Sequence, residues 1–364
     1  MRFIYHSGIV TAIMTLSLSP LASGRGTLEL TAVRRRVQAY LADLLVADRP
    51  YGCYRLQPGG EADFYATCDA ALIRTVMGED LQRSLTAGQR RAWIDYINSY
   101  ARPDGAYRGG RHSVQHRNGM VIGALGALGG RQKYAVRLYD EFAAVARVDD
   151  WLAAIDWRAQ WSASHLFWGG MHCYSLSRRC TEAWRAAVFA WLDANLDPAT
   201  GWWRRGVAHA DANQPLGGAA HIWPIYQHHG RAFPYPRRVI DSILALQKSD
   251  GAWIRFPNYL DLDALYGLAY MQTQAPAYRR ADIARAVRRA GDLAARRFDA
   301  VMERGPDLHT LLAAVGTLGL LQQLDRERFP DTVRWTDIFS DRRLYRVSAV
   351  EVLPATSAAE AEPD

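Results

Sequence analysis

Ile243-Leu-Ala-Leu-Gln247-Lys-Ser-Asp250-Gly251-Ala-Trp253 ends an amphipathic stretch in a short Gly-aromatic turn, and Asp261-Leu-Asp263-Ala-Leu-Tyr266-Gly-Leu-Ala-Tyr-Met271 follows it. The second stretch places apolar residues at helical spacing, and its Ala and Gly allow close approach to a neighbour. This turn-plus-helix unit recurs along the chain. Further turns stand at Tyr51-Gly52-Cys53-Tyr54, Asp104-Gly105-Ala106-Tyr107 and Thr200-Gly201-Trp202-Trp203. The four turn glycines are spaced by 53, 96 and 50 residues. The double-length gap leaves room for one degenerate copy near Asp156-Trp157.

Small-residue apolar helices with polar starts follow the turns. They begin at Asp63, His116, His165, His221, Asp261 and His309. Gly169-Gly170 and Pro224 interrupt the third and fourth copies. Longer amphipathic helices lie between, over Val33–Leu45, Gln89–Tyr100, Tyr134–Val145, Glu182–Asn195, Arg237–Gln247 and Ala281–Phe298. They carry charge on one face, as outer helices should. A repeat of about fifty residues with alternating outer and inner helices predicts an all-α fold, an (α/α)6 toroid over residues 27–345. No Pro/Gly/Ser-rich linker divides it. The tail, residues 346–364, reads as disordered.

Composition narrows the function classes. Apolar residues make up 49% of 364, with 12 Trp and 18 Tyr, enough for a large core and against disorder. A net charge of +7 suits anionic ligands. The arginines are scattered, however, and there is no nucleic-acid motif. Cys53, Cys68, Cys173 and Cys180 form no CxxC pair. Cys53 with Cys68 or Cys173 with Cys180 would make a disulfide in an oxidising compartment, and buried thiols are the alternative. Residues 1–26 hold Arg2, an apolar run from Ile9 to Leu21 and Ala22-Ser23-Gly24, the order of a secretory signal. Thr and Ser dilute the run, so periplasmic or secreted and cytoplasmic locations both stay open. No later segment reaches about 20 apolar residues, which excludes an integral membrane helix.

The unit ending in Gln247 and Gly251-Ala-Trp253 resembles the glutamine-tryptophan motif of squalene-hopene cyclases, in the superfamily of terpenoid cyclases and protein prenyltransferase β-subunits. The resemblance implies a toroid in which the Gln caps the next turn and the Trp packs on it. Cyclases of that superfamily carry Asp-x-Asp-Asp at the start of an inner helix. Asp261-Leu262-Asp263-Ala264 is the matching stretch, with Asp263 on the proton-donor position and Ala264 replacing the last Asp. The transferase zinc His falls on Ala66 within Asp63-Phe64-Tyr65-Ala66-Thr67-Cys68, so the resemblance does not carry that metal site over.

In a toroid the starts of the inner helices meet at one mouth of a central cavity. Asp63, His116, His165, His221, Asp261 or Asp263, and His309 would converge there, with Asn118, Trp161, Tyr65, Trp223, Tyr259 and Tyr266 nearby. Asp commonly caps helices and His does so poorly, so the histidines point to function more than to capping. An acid such as Asp263 beside His221 or His309, among aromatic faces, suits proton-initiated chemistry on an isoprenoid. Asp63 with Asp263 would suit a glycosidic bond, and His221 with Tyr226 a lyase. Exported (α/α)6 enzymes acting on oligosaccharides are therefore the alternative, and a non-catalytic binding toroid is the third. Trp202-Trp203-Arg204-Arg205 would stack on a sugar or grip a phosphate, or simply pack. Three His plus Asp could hold a metal, but no local motif assigns one. There is likewise no P-loop, dinucleotide fingerprint or GxSxG elbow to assign a cofactor.

Overall fold

The computed structural model describes residues 22–23, 27–110, 112–203 and 213–346. The leader up to Leu21, Arg204 and the tail beyond Arg346 lie outside the described residues. The chain is all-helical. Among the described residues, strand is limited to a ladder of Ala22–Ser23 with Thr27–Leu28 and isolated bridges.

The elements follow the expected alternation. α1 (Leu30–Leu44) leads to α2 (Phe64–Val76). After the one-turn α3 (Leu81–Ser84), α4 (Ala87–Asn98) leads to α5 (Val114–Leu128). α10 (Glu182–Ala194) leads to α11 (Gln214–Ala220) and α12 (Trp223–His228), while α13 (Pro236–Leu246) leads to α14 (Tyr259–Gln274). α15 (Arg280–Glu303) leads to α16 (Leu308–Leu324). The third pair departs from the expected Tyr134–Val145 helix. Its outer arm is two short pieces, α6 (Leu138–Phe142) and α7 (Val148–Ala154), because Asp149 and Asp150 start a second helix in its first turn. Its inner arm is α8 (Gln160–Ala163), a π-helical segment (Phe167–Met171) and α9 (His172–Ser175). The fourth inner helix breaks at His221-Ile222, just before Pro224, into α11 and α12.

The turns share one construction. Backbone bonds Val46 N to Cys53 O, Arg102 N to Ala106 O, Asp197 N to Trp202 O and Lys248 N to Ala252 O close them at 2.8–2.9 Å. Gly251 has φ 102°, and a Cβ there would lie 2.4 Å from Arg289 O on α15, so both conformation and space require glycine. Gly52, Gly105 and Gly201 meet the next outer segment in the same way, at Trp93, Ala135 and Val239. Gln247 donates to Gly251 O and Ala286 O at 2.9 Å, tying its turn to α15. Trp253 donates its indole N–H to Ile243 O, and Trp203 to Leu192 O. A buried indole usually finds such a partner.

Inner helices touch inner helices. Contacts run from α2 to α5, from α5 to the π segment, on through α9, α12 and α11, then to α14, α16 and back to α2. One contiguous apolar core extends from Leu28 to Tyr345. All four cysteines are free thiols, so neither disulfide is formed.

Small residues set the closeness of these contacts. A Cβ on Gly169 would lie 1.5 Å from Gln115 O of α5, a backbone atom that cannot step aside. Gly169→Ala should therefore lower the unfolding free energy by at least about 1–3 kcal/mol in urea denaturation. Gly88, in α4, has only Thr86 Oγ1 near, at 4.0 Å. Gly88→Ala should raise stability by about 0.5 kcal/mol. Equal effects of the two substitutions would contradict the close crossing.

Candidate active site

The first turns of the inner helices carry the polar groups, and while the expected start Asp63 does cap α2, the caps of α5, α14 and α16 are other residues than the expected starts. Ser113 caps α5 by accepting from His116 N, Asn258 caps α14 through Leu260 N, and Asp307 caps α16 through Thr310 N. With capping met by these short side chains, the nearby His116, Tyr259, Asp263 and His309 are available to face inward. His165 follows the C-terminus of α8, and His221 sits in the break between α11 and α12. All six line one cavity of about 270 Å³, together with Trp161, Trp168, His112, Gln214 and Phe339.

The imidazoles crowd each other. Ring centroids are 4.6 Å apart for His116 and His165, 5.4 Å for His165 and His221, and 5.9 Å for His116 and His309. Burial, and then repulsion between the rings, pushes His116 well below the ordinary range and His165 down to about 4. Burial does the same to His221. These three rings are therefore neutral at pH 7. Each of the four expected histidines has Nδ1 held from outside the cavity. The partners are Tyr65 OH at 3.0 Å from His116, Ser113 Oγ at 3.3 Å from His165, Ser164 Oγ at 2.7 Å from His221 and Asp69 Oδ1 at 3.0 Å from His309. Ser164 gives its own hydrogen to Trp161 O, so His221 Nδ1 is the donor and Nε2 carries the lone pair. The Asp69 carboxylate likewise fixes the hydrogen on His309 Nδ1.

Asp263 is the one carboxyl group among the described residues that line the cavity. It is 2% exposed, and its Oδ2 has no hydrogen-bond partner. Burial, with the Asp261 charge adding to it, raises its pKa well above the ordinary carboxylate range.

Several expected site residues are engaged elsewhere. Asp63 caps α2, accepting from Tyr65 N and Ala66 N at 2.7 and 3.1 Å. Asp261 accepts from Trp253 N at 2.7 Å and holds the Gly251 turn. Trp203 and Trp223 are core residues, and Tyr266 bonds Gln227 Oε1 at 2.7 Å and stacks on Phe339. Tyr226 donates to Asp193 at 2.7 Å and so is not paired with His221. Tyr65 stands behind His116, and Asn118 is buried on α5 without lining the cavity. Sequence reading missed His112 and Asp69. The spacing His112-x3-His116 signals the first, and a charged residue inside the apolar run Phe64-Tyr-Ala-Thr-Cys-Asp-Ala-Ala-Leu-Ile73 signals the second.

The Asp263 carboxyl leaves a mark on stability. Its folded pKa exceeds the unfolded value of about 3.9, so the folded chain holds a proton the unfolded chain releases. That contribution is complete below pH of about 4 and declines by about 1.4 kcal/mol per pH unit until the folded pKa is reached. Asp263→Asn carries no such proton. Its stability relative to wild type should rise between pH 4 and pH 7 in urea titrations. A flat difference would mean that Asp263 is ionised in the fold. No family model, curated protein or solved structure matches this chain.

Proposed function

We propose that the chain is an α/α toroid enzyme that holds a small organic substrate, of isoprenoid type, in its central cavity and protonates it with Asp263. The observation that carries this reading is the buried Asp263 on the cavity wall with one oxygen unpartnered, where burial raises its pKa. The circuit of inner-helix contacts that returns from α16 to α2 supports the toroid. A carboxylic acid donates a proton well where water is excluded, as long as the conjugate base is not trapped. The neutral imidazoles of His165 and His221 stand ready to take a proton at the end of the reaction. Trp161, Trp168, Tyr259 and Phe339 offer aromatic faces to a developing cation. The Gln247 and Asp263 resemblances to terpenoid cyclases point the same way, although Ala264 removes one aspartate of that pattern.

A second reading has one observation in its favour. Tyr259 and His309 stand side by side on the cavity wall, ring centroids 4.8 Å apart, with Tyr259 OH donating to His309 O and His309 Nε2 left as a base, a pair suited to a lyase or epimerase acting on a sugar. The two-carboxylate route to a glycosidic bond is less supported. Asp263 is the one carboxylate among the described lining residues, and Asp63 is engaged in capping.

The test is a panel of isoprenyl diphosphates, neutral polyenes and acidic oligosaccharides, screened by thermal shift and then for product. A polyene or isoprenyl compound should bind and turn over. Asp263→Asn should keep the binding and lose about 10²–10⁴-fold in rate. Normal turnover by that variant ends the acid assignment. Turnover of an acidic sugar that depends on Tyr259 instead of Asp263 replaces it with the second reading.

A further inference from the structure

We propose that His112, His116 and His309 form a binding site for a divalent transition metal of the zinc class at the wall of the cavity. One ligand nitrogen from each lies within 4.8 Å of the other two. The ring centroids of His112 are 4.3 Å from His116 and 5.6 Å from His309. Zinc–nitrogen bonds of about 2.0–2.1 Å put tetrahedral ligands about 3.3 Å apart, so the rings need only close slightly around an ion. His112 is exposed and precedes the α5 cap, which leaves its side chain room to make that adjustment.

The outer partners supply the second observation. Metal-bound imidazoles typically give their other nitrogen to a carboxylate or hydroxyl, which fixes the tautomer and strengthens the ligand. His309 Nδ1 meets the fully buried Asp69 carboxylate at 3.0 Å, and His116 Nδ1 meets Tyr65 OH at 3.0 Å. Tyr65 and Asp69 stand four residues apart on one face of α2, so a single helix orients two of the three ligands. In both rings Nε2 is then the nitrogen presented for ligation. The second oxygen of Asp69 is buried without a hydrogen-bond partner. A carboxylate charge held at 0% exposure is unfavourable unless a cation offsets it, and an ion beyond His309 would do so. Three neutral nitrogen donors select zinc, cobalt, nickel or copper over calcium or magnesium. A three-histidine set leaves a fourth position for water or an oxygen of the substrate.

This site stands apart from the acid reading, because Asp263 is not among its ligands. The full chain, stripped with chelator and dialysed, is titrated with Zn²⁺ by calorimetry and with Co²⁺ by visible absorption. One equivalent should bind, and cobalt should give the intense d–d bands of a tetrahedral site. His112→Ala, at an exposed ring whose loss spares the core, should weaken binding at least tenfold, and His112→Ala with His116→Ala should abolish it. Asp69→Asn should weaken it about 10–100-fold at unchanged stoichiometry. Asp263→Asn should bind as wild type does, which keeps this test independent of the acid. The proposal is overturned if wild type takes up no zinc, if the double variant binds unchanged, or if Asp263→Asn abolishes binding while His112→Ala does not.

Discussion

The contact between α5 and the π segment is the constraint on which the cavity depends. Gly169 stands against the α5 backbone at Gln115, and a Cβ on Gly119 would lie 2.9 Å from the Trp168 ring. Two backbones this close leave no room for side chains between them, so the residues just before the crossing are forced together. His116 is three residues before Gly119 and His165 is four before Gly169. Their rings consequently sit 4.6 Å apart. A π-helical stretch at this point is the local consequence: the widened turn lets Phe167 and Met171 stay buried while Gly169 faces α5 and Gly170 faces Phe142 of α6. Elsewhere the same principle recurs with larger partners, as where Gly267 admits the Trp223 ring and Gly316 admits Leu262.

Much of this was legible in the sequence because it rests on a period. The turn glycines, the charged outer faces and the small-residue inner helices each repeat, and repetition survives the loss of any one copy. Four of the histidines could be assigned to one place for that reason, and His116, His165, His221 and His309 do line one cavity. What the period could not reveal was which polar residue at a helix start is occupied with the backbone. Asp63 and Asp261 look equivalent to Asp263 in a string of letters. Only the local path of the chain shows that Asp63 meets the amides of α2, and that Asp261 reaches back to the amide of Trp253, eight residues earlier. Trp203, Trp223 and Tyr266 were drawn into the site by their chemistry, whereas their size makes them the natural filling between inner and outer helices. His112 lies before the helix cap, outside the repeat register, and so escaped a search by period.

Two buried carboxylates in one structure lie in different surroundings. Asp263 lines the cavity with its Oδ2 unpartnered, and burial, with the Asp261 charge adding to it, raises its pKa well above the ordinary range. Asp69 is equally buried and its pKa is likewise raised by burial, but the imidazole of His309 offsets part of that rise. A cation among His112, His116 and His309 would extend that offset and favour the Asp69 carboxylate beyond His309. Asp263 is not one of those three imidazoles or their outer partners, so its titration follows its own burial and the Asp261 charge, whereas that of Asp69 follows the ring it holds.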